Sequence, residues 1–240
     1  MKRALLLLAG VTLPACIADK TTGIDSNDAL VDVTWSVRSV GGLEQPCPTG
    51  TPTAQVIAQP VDPLTGEPTT ASQETLFDCG AKSGTVSLVP DSYVISVHLL
   101  DADGSAIYAA SLPSGVLDLT AVDVNQAFDI YTDGGYLALG WTLTSPSDGV
   151  LACETAGVTD IVAVLTPTGS GGGVATTTAP IPCVDGTAIT SVIPAGAYRV
   201  LVRAEATGTA VGSTTLPAEI VRGPNELTAV GTIAIPIPAN

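Results

Sequence analysis

The sequence has a single histidine, His98, and only eight lysines and arginines against 23 acidic residues. With one histidine, a zinc site built from three or four imidazole and thiolate ligands cannot be assembled. A Ser–His–Asp triad would have to use His98, and no Gly-x-Ser-x-Gly elbow occurs. The formal net charge of −15 repels phosphate backbones and excludes nucleic acid as a partner. Aromatic residues are 4% of the chain, which leaves few platforms on which a sugar ring could stack. The longest apolar run, Ala4 to Leu13, is half of the roughly 20 residues needed to span a bilayer as a helix. No segment keeps a helical period.

What is present is small and β-branched. Apolar residues make up 45% of the chain, enough for a core. Ala, Val, Thr, Gly and Pro dominate, and Gly and Pro recur every few residues, a composition that favours short strands with tight turns. In VDVTWSV, Val31, Val33, Trp35 and Val37 share one face, while Asp32, Thr34 and Ser36 share the other. LALGWTL repeats the plan with Leu137, Leu139, Trp141 and Leu143 inward. Tyr93, Ile95, Val97 and Leu99 form a third inward set, and Tyr198, Val200, Val202 and Ala204 a fourth. His98 then falls on an outward face, in the slot of Arg203, and reads as a polar surface position. Asp103-Gly104 signals a two-residue hairpin.

These segments belong to a duplication. Trp35 precedes Cys47 by 12 residues, and Trp141 precedes Cys153 by 12. Cys79 precedes Pro90 by 11, and Cys183 precedes Pro194 by 11. Ser111-Leu112-Pro113 is answered by Thr215-Leu216-Pro217, and LTAV at 119–122 by LTAV at 227–230. Markers in one order at a nearly constant offset imply two homologous modules. A period near 105 residues is that of a domain that closes its own core. Equivalent cysteines are therefore expected to pair within each copy, Cys47 with Cys79 and Cys153 with Cys183. Pairing of Cys79 with Cys153 across the copies is the alternative. Closing loops of about 30 residues would stabilise each module by about 3–4 kcal/mol. The expected fold class is all-β: two tandem β-sandwiches, residues 30–134 and 135–240, each with one internal disulfide. Gly134 and Gly135 mark a short joint that leaves limited relative motion.

The amino terminus carries its own signal. Lys2 and Arg3 precede the apolar run, as in a secretory signal. Its end, Leu13-Pro14-Ala15-Cys16, resembles the bacterial lipobox. That resemblance implies removal of residues 1–15, lipidation (diacylglycerol, then palmitate-type acylation) of Cys16, and a bilayer as partner. Ile17 in place of Asp favours the outer membrane. Residues 16–29 read as a polar tether, with a reach of about 20 Å. IPAGAYRVLV at 192–201 resembles, in its Pro-x-Gly-x-Tyr-x-Val, the signature of transthyretin-like and carboxypeptidase-regulatory-like sandwiches of bacterial surfaces; VPDSYVISV at 89–97 matches it less fully.

No catalytic pattern and no cofactor emerges. Asp101-Ala102-Asp103-Gly104 opens like a calcium loop, but Leu112 stands where an EF-hand needs Glu. No spacing among Asp118, Asp123 and Asp129 argues for calcium. The glycine run 169–173 lacks the following Lys-Ser or Lys-Thr of a phosphate-binding loop. The expectation is a non-enzymatic envelope lipoprotein, a spacer or protein-interaction module whose partner is an envelope protein or glycan. The alternative is a carbohydrate- or peptide-binding surface protein using the long loops 61–73 and 166–180. Trp35 and Trp141 discriminate: inward they are core, outward beside a groove they would favour sugar.

Overall fold

The structure, a computed structural model, describes residues 28–104, 106–120, 124–147, 149–168, 174–216, 220–221 and 227–238. The signal run and Cys16 lie outside these residues, as do Asp123 and the glycine run 169–173.

The first repeat contains β1 (Ala29–Arg38), β2 (Thr53–Pro60), β3 (Gln73–Asp78), β4 (Ser83–Leu88), β5 (Ser92–Leu100), β6 (Ile107–Ala110), β7 (Leu117–Asp118) and β8 (Val124–Tyr131). The second contains β9 (Gly134–Ser145), β10 (Gly149–Leu151), the one-turn α1 (Cys153–Ala156), β11 (Asp160–Pro167), β12 (Thr176–Thr177), β13 (Ile181–Pro182), β14 (Thr187–Ile189), β15 (Ile193–Pro194), β16 (Ala197–Ala206), β17 (Thr209–Thr215), β18 (Ile220–Val221) and β19 (Leu227–Pro236). The chain is all-β apart from α1 and two 3-10 turns at Cys79–Ala81 and Cys183–Asp185.

Each repeat is a sandwich of two sheets with the same plan. β1 lies between antiparallel β4 and parallel β8; β9 lies between antiparallel β14 and parallel β19. The opposing sheet is β3-β2-β5-β6, with β7 on β5, in the first repeat. In the second it is β11-β16-β17, with β12 and β13 on β11 and β18 on β16. The alternating residues of β1 and β9 explain the layering: Val31, Val33, Trp35 and Val37 are buried on one side, and Leu137, Leu139, Trp141 and Leu143 on the other. They meet Ala54, Val56, Ile95, Val97 and Leu99 in one core, and Ile161, Leu165, Val200 and Val202 in the other. Each buried branched side chain contributes about 1.5–3 kcal/mol.

The disulfides Cys47–Cys79 and Cys153–Cys183 form within the repeats, as the duplication requires; the cross-repeat pairing does not occur. The tether reading through residue 29 needs correcting: Ala29 already pairs with Leu88 in β1 and is buried, because Val31 carries the strand pattern back to it. The hairpin at Asp103-Gly104 is longer than two residues. Leu100 pairs with Ile107 after a register shift at Leu99/Leu100, and the Asp101 amide donates to the Ala106 carbonyl at 3.0 Å. Gly104, at φ 67°, supplies the left-handed position within that longer connection.

Candidate functional site

The loops named by the sequence are more ordered than connectors need to be. In 61–73 an isolated bridge joins Val61 to Pro68, and Gln73 already belongs to β3. The Asp62 carboxylate accepts from the amides of Leu64 and Thr65 at 2.8 and 2.9 Å, and these bonds hold its pKa below the ordinary Asp value. Leu64 is 94% exposed at the tip. In 166–180, Thr166 and Pro167 end β11, Thr176 and Thr177 form β12, and the Thr178 hydroxyl accepts from the Ala163 amide at 3.0 Å. Val174 is 90% exposed. Neither loop gathers polar groups around a cavity among the described residues.

The tryptophans are core. Trp35 and Trp141 are 2% and 6% exposed, and their indole N–H groups donate to the carbonyls of Cys79 and Cys183 at 3.0 and 2.9 Å. Neither presents a face on which a sugar could stack.

The carboxylates are dispersed. Asp129 pairs with Arg38 at 2.6 Å, Glu44 with Lys82 at 2.6 Å and Glu205 with Arg203 at 3.0 Å. Lys82 holds the Glu44 carboxyl below its ordinary value, and Thr120, through hydroxyl and amide, does the same for Asp118. No three His, Cys, Asp or Glu side chains gather as a metal site among the described residues. His98 needs a partial correction. It does lie opposite the core, but it is half-buried beside Gln55 and Ala110, its cross-strand neighbours, rather than freely exposed. Burial pushes its pKa down, partly offset by Glu74.

The feature that sets one repeat apart from the other is the outer face of β14-β9-β19. In the first repeat the equivalent face is polar. Thr85 donates to Asp32 at 2.6 Å across the β1–β4 pair, and Arg38 meets Asp129 from β8. In the second repeat, register places Ala138 where the first has Asp32, Gly140 for Thr34 and Ile189 for Thr85. Ala234 stands for Asp129, and Thr144 for Arg38. No charged side chain is left on β14, β9 or β19.

The substitutions also remove bulk. An open groove of about 410 Å³ runs over the middle strand, floored by Ala138 and Gly140 and flanked by Thr187, Ile189, Ala229 and Thr232. Ile189 is 47% exposed on its rim. A Cβ added at Gly140 would sit 3.3 Å from the Thr232 hydroxyl, so even a methyl there would crowd the floor. A shallow, uncharged surface on a strongly acidic chain can lose its water without stranding an ion, which otherwise costs several kcal/mol. Sequence reading named the inward residues of LALGWTL but not this face. The signal was present as Ala138 and Gly140 aligned with Asp32 and Thr34.

No protein-family model and no curated protein matches the sequence. Solved structures resemble the fold at low identity. A leucine-rich repeat protein of Bacteroides thetaiotaomicron is 16% identical over 89% of this chain, at TM-score 0.42, and this chain spans only 27% of its length. A candidate adhesin of Bacteroides ovatus is 11% identical over 98% of this chain and 99% of its own, at TM-score 0.29. A minor pilin of Streptococcus agalactiae is 11% identical over 88% and 97%, at TM-score 0.31. Among the described residues no helix is long and apolar enough to cross a membrane.

Proposed function

We propose that the chain is a non-enzymatic lipoprotein of the bacterial envelope, anchored to the outer membrane through Cys16, whose two sandwiches project a protein-interaction surface. The contact surface in this reading is the uncharged face of β14-β9-β19. One observation carries it. The two sibling sheets share a plan, apart from a bulge in β19 between Ala229 and Gly231, yet the Asp32–Thr85 and Arg38–Asp129 interactions of the first have no charged counterpart in the second, where Ala138, Ile189, Thr144 and Ala234 stand instead. Apolar surface of this kind favours association at about 25 cal/mol per Å² removed from water. A lipid anchor with several acyl chains would keep the module at the membrane, since each buried methylene contributes about 0.8 kcal/mol.

Carbohydrate or peptide binding through loops 61–73 and 166–180 has less support, because both indoles that could stack on a sugar are buried and hydrogen-bonded.

The test is crosslinking in intact cells. A photoreactive residue at 189 should give a discrete protein adduct identified by mass spectrometry, and the same residue at 85 on the sibling face should not. Equal adducts at both positions, or none at 189, would remove the face from the reading. Mass analysis of the mature amino terminus tests the anchor: the expected species begins at Cys16 and carries acyl chains, and an unmodified Cys16 refutes it.

A further inference from the structure

The chain passes from the first sandwich to the second through Thr132 and Asp133, between the end of β8 and the start of β9. A two-residue connection is short but not by itself rigid. Three observations make this one so.

Asp133 binds both repeats at once. Its carboxylate Oδ1 accepts from the Val40 amide at 2.7 Å, on the first repeat just beyond β1. Its carbonyl accepts from the Ala195 amide at 2.7 Å, just beyond β15 of the second. The Thr132 amide donates to the Arg38 carbonyl at 3.1 Å, holding the connection to the first repeat. Hydrogen bonds to a charged acceptor are among the stronger ones.

Gly134 is packed where no side chain fits. A Cβ there would collide with a Val40 methyl from the first repeat. It would also sit 2.8 Å from both the Val192 methyl and the Ile193 carbonyl of the second. Val40 and Val192 therefore close on the same glycine from opposite repeats. Finally, the rings of Tyr131, the last residue of β8, and Tyr136 of β9 meet edge to face with centroids 6.3 Å apart. Together the Asp133 bonds, the packing on Gly134 and the tyrosine pair tie the two repeats to each other across the joint.

We infer that the joint is a lock, so that the two sandwiches tumble as one rigid body, with Gly134 and Asp133 as its positioning residues. This goes beyond the proposed function and needs neither the anchor nor a partner. Its consequence is geometric: the groove over β9 is held at a fixed distance and orientation from the strand end at Ala29, where the amino-terminal segment joins.

The test is NMR on the purified chain. Residual dipolar couplings measured separately for strands of the two repeats should fit one alignment tensor, equal in magnitude and orientation. Two tensors of different magnitude in the unaltered protein would overturn the inference. Gly134→Ala should break the common tensor while both sets of strand amides stay dispersed. Because that variant can fail to fold, Asp133→Ala, which removes only the side-chain acceptor, is the second arm. It should lower the agreement between the two tensors, with Asp133→Asn preserving more of it. A common tensor that survives both Gly134→Ala and Asp133→Ala would show that these residues are not the lock.

Discussion

The indole N–H of Trp35 donates to the carbonyl oxygen of Cys79 at 3.0 Å, tying the first strand to the turn that carries the disulfide. Trp141 does the same with Cys183 at 2.9 Å. In both repeats the tryptophan backbone amide also bonds to the residue closing that turn, Trp35 to Lys82 and Trp141 to Gly186. Trp35→Phe should keep the aromatic packing but lose the bond. The Cys79 carbonyl would retain the Lys82 amide at 3.3 Å, so it would not be orphaned. The expected loss is therefore about 1 kcal/mol for the bond plus a packing term of at least similar size. Trp141→Phe should lose a similar amount. Urea unfolding followed by circular dichroism measures both, and a loss below a few tenths of a kcal/mol would separate the bond from stability.

The same turn supplies a second prediction. Lys82 holds φ 56°, a left-handed conformation, where the sibling uses Gly186 at φ 68°. A non-glycine residue there costs about 1–2 kcal/mol. The Lys82–Glu44 pair returns little, because solvent screens the exposed carboxylate. Lys82→Gly should leave stability unchanged or raise it by up to about 1 kcal/mol, whereas Gly186→Ala should lower it by about 1 kcal/mol. A urea midpoint that falls for Gly186→Ala but not for Lys82→Gly is the expected result.

How much of this was legible in the sequence depends on what sets each feature. The strands around Trp35 and Trp141 were legible because period-2 alternation is a local consequence of one buried face. The disulfide partners were legible because duplication fixed which cysteines are equivalent. The parallel pairing of β1 with β8 was not. It joins the first and last strands of a repeat, and nothing local in VDVTWSV or VNQAFDIY names the other. The two-residue hairpin at Asp103-Gly104 does not form because the register shifts at Leu99/Leu100, outside the turn residues that signal it. His98 was placed on the correct face, but its cover by neighbouring strands depends on cross-strand partners that the sequence does not list. The uncharged face was visible as Ala138 and Gly140, but its meaning required the register that aligns them with Asp32 and Thr34.

The disulfides should act separately. Their loops span 32 and 30 residues, so chain entropy predicts nearly equal effects. Replacing Cys47 and Cys79 by Ala should destabilise the first repeat by about 3–4 kcal/mol and leave the second little changed; replacing Cys153 and Cys183 should do the reverse. Hydrogen exchange resolved by residue is the measurement, since it reports protection loss strand by strand. Equal loss in both repeats from either replacement would mean that they unfold as one unit.

His98 predicts a pH dependence. Its Nδ1 is buried without a partner among the described residues, and burial lowers its pKa below the ordinary 6.5. The groups that face it are few: Glu74, which pulls the pKa up, the Ser96 hydroxyl 3.5 Å from Nε2, and Gln55 across the strand pair. The folded state thus holds the proton less tightly than the unfolded chain does. Stability from this group is fully present above about pH 6.5 and is lost as pH falls from there through the lowered folded value. The urea midpoint should drop between pH 7.5 and pH 5, and His98→Gln should flatten part of that drop. A wild-type slope unchanged in the variant would assign the drop to the carboxylates instead.

The decisive variant for the uncharged face transplants the sibling's own residues. Ala138→Asp with Ile189→Thr rebuilds across β9 and β14 the pair that Asp32 and Thr85 make across β1 and β4, where the hydroxyl donates to the carboxylate at 2.6 Å. The backbone register is the same in both, so the new side chains find a geometry that the fold already accommodates. Surface exchanges of this kind normally shift stability by no more than about 0.5 kcal/mol. A partner on the face would meet a different situation. It would have to desolvate a new carboxylate, at a cost of several kcal/mol, and would lose the Ile189 contact. Unfolding midpoints should therefore stay in place while the in-cell adduct, read from a photoreactive residue at 187 on the same strand, disappears. A persisting adduct with an intact fold would mean that the partner is held elsewhere, and a large stability loss would mean that small, uncharged residues at 138 and 189 serve the sandwich rather than an association.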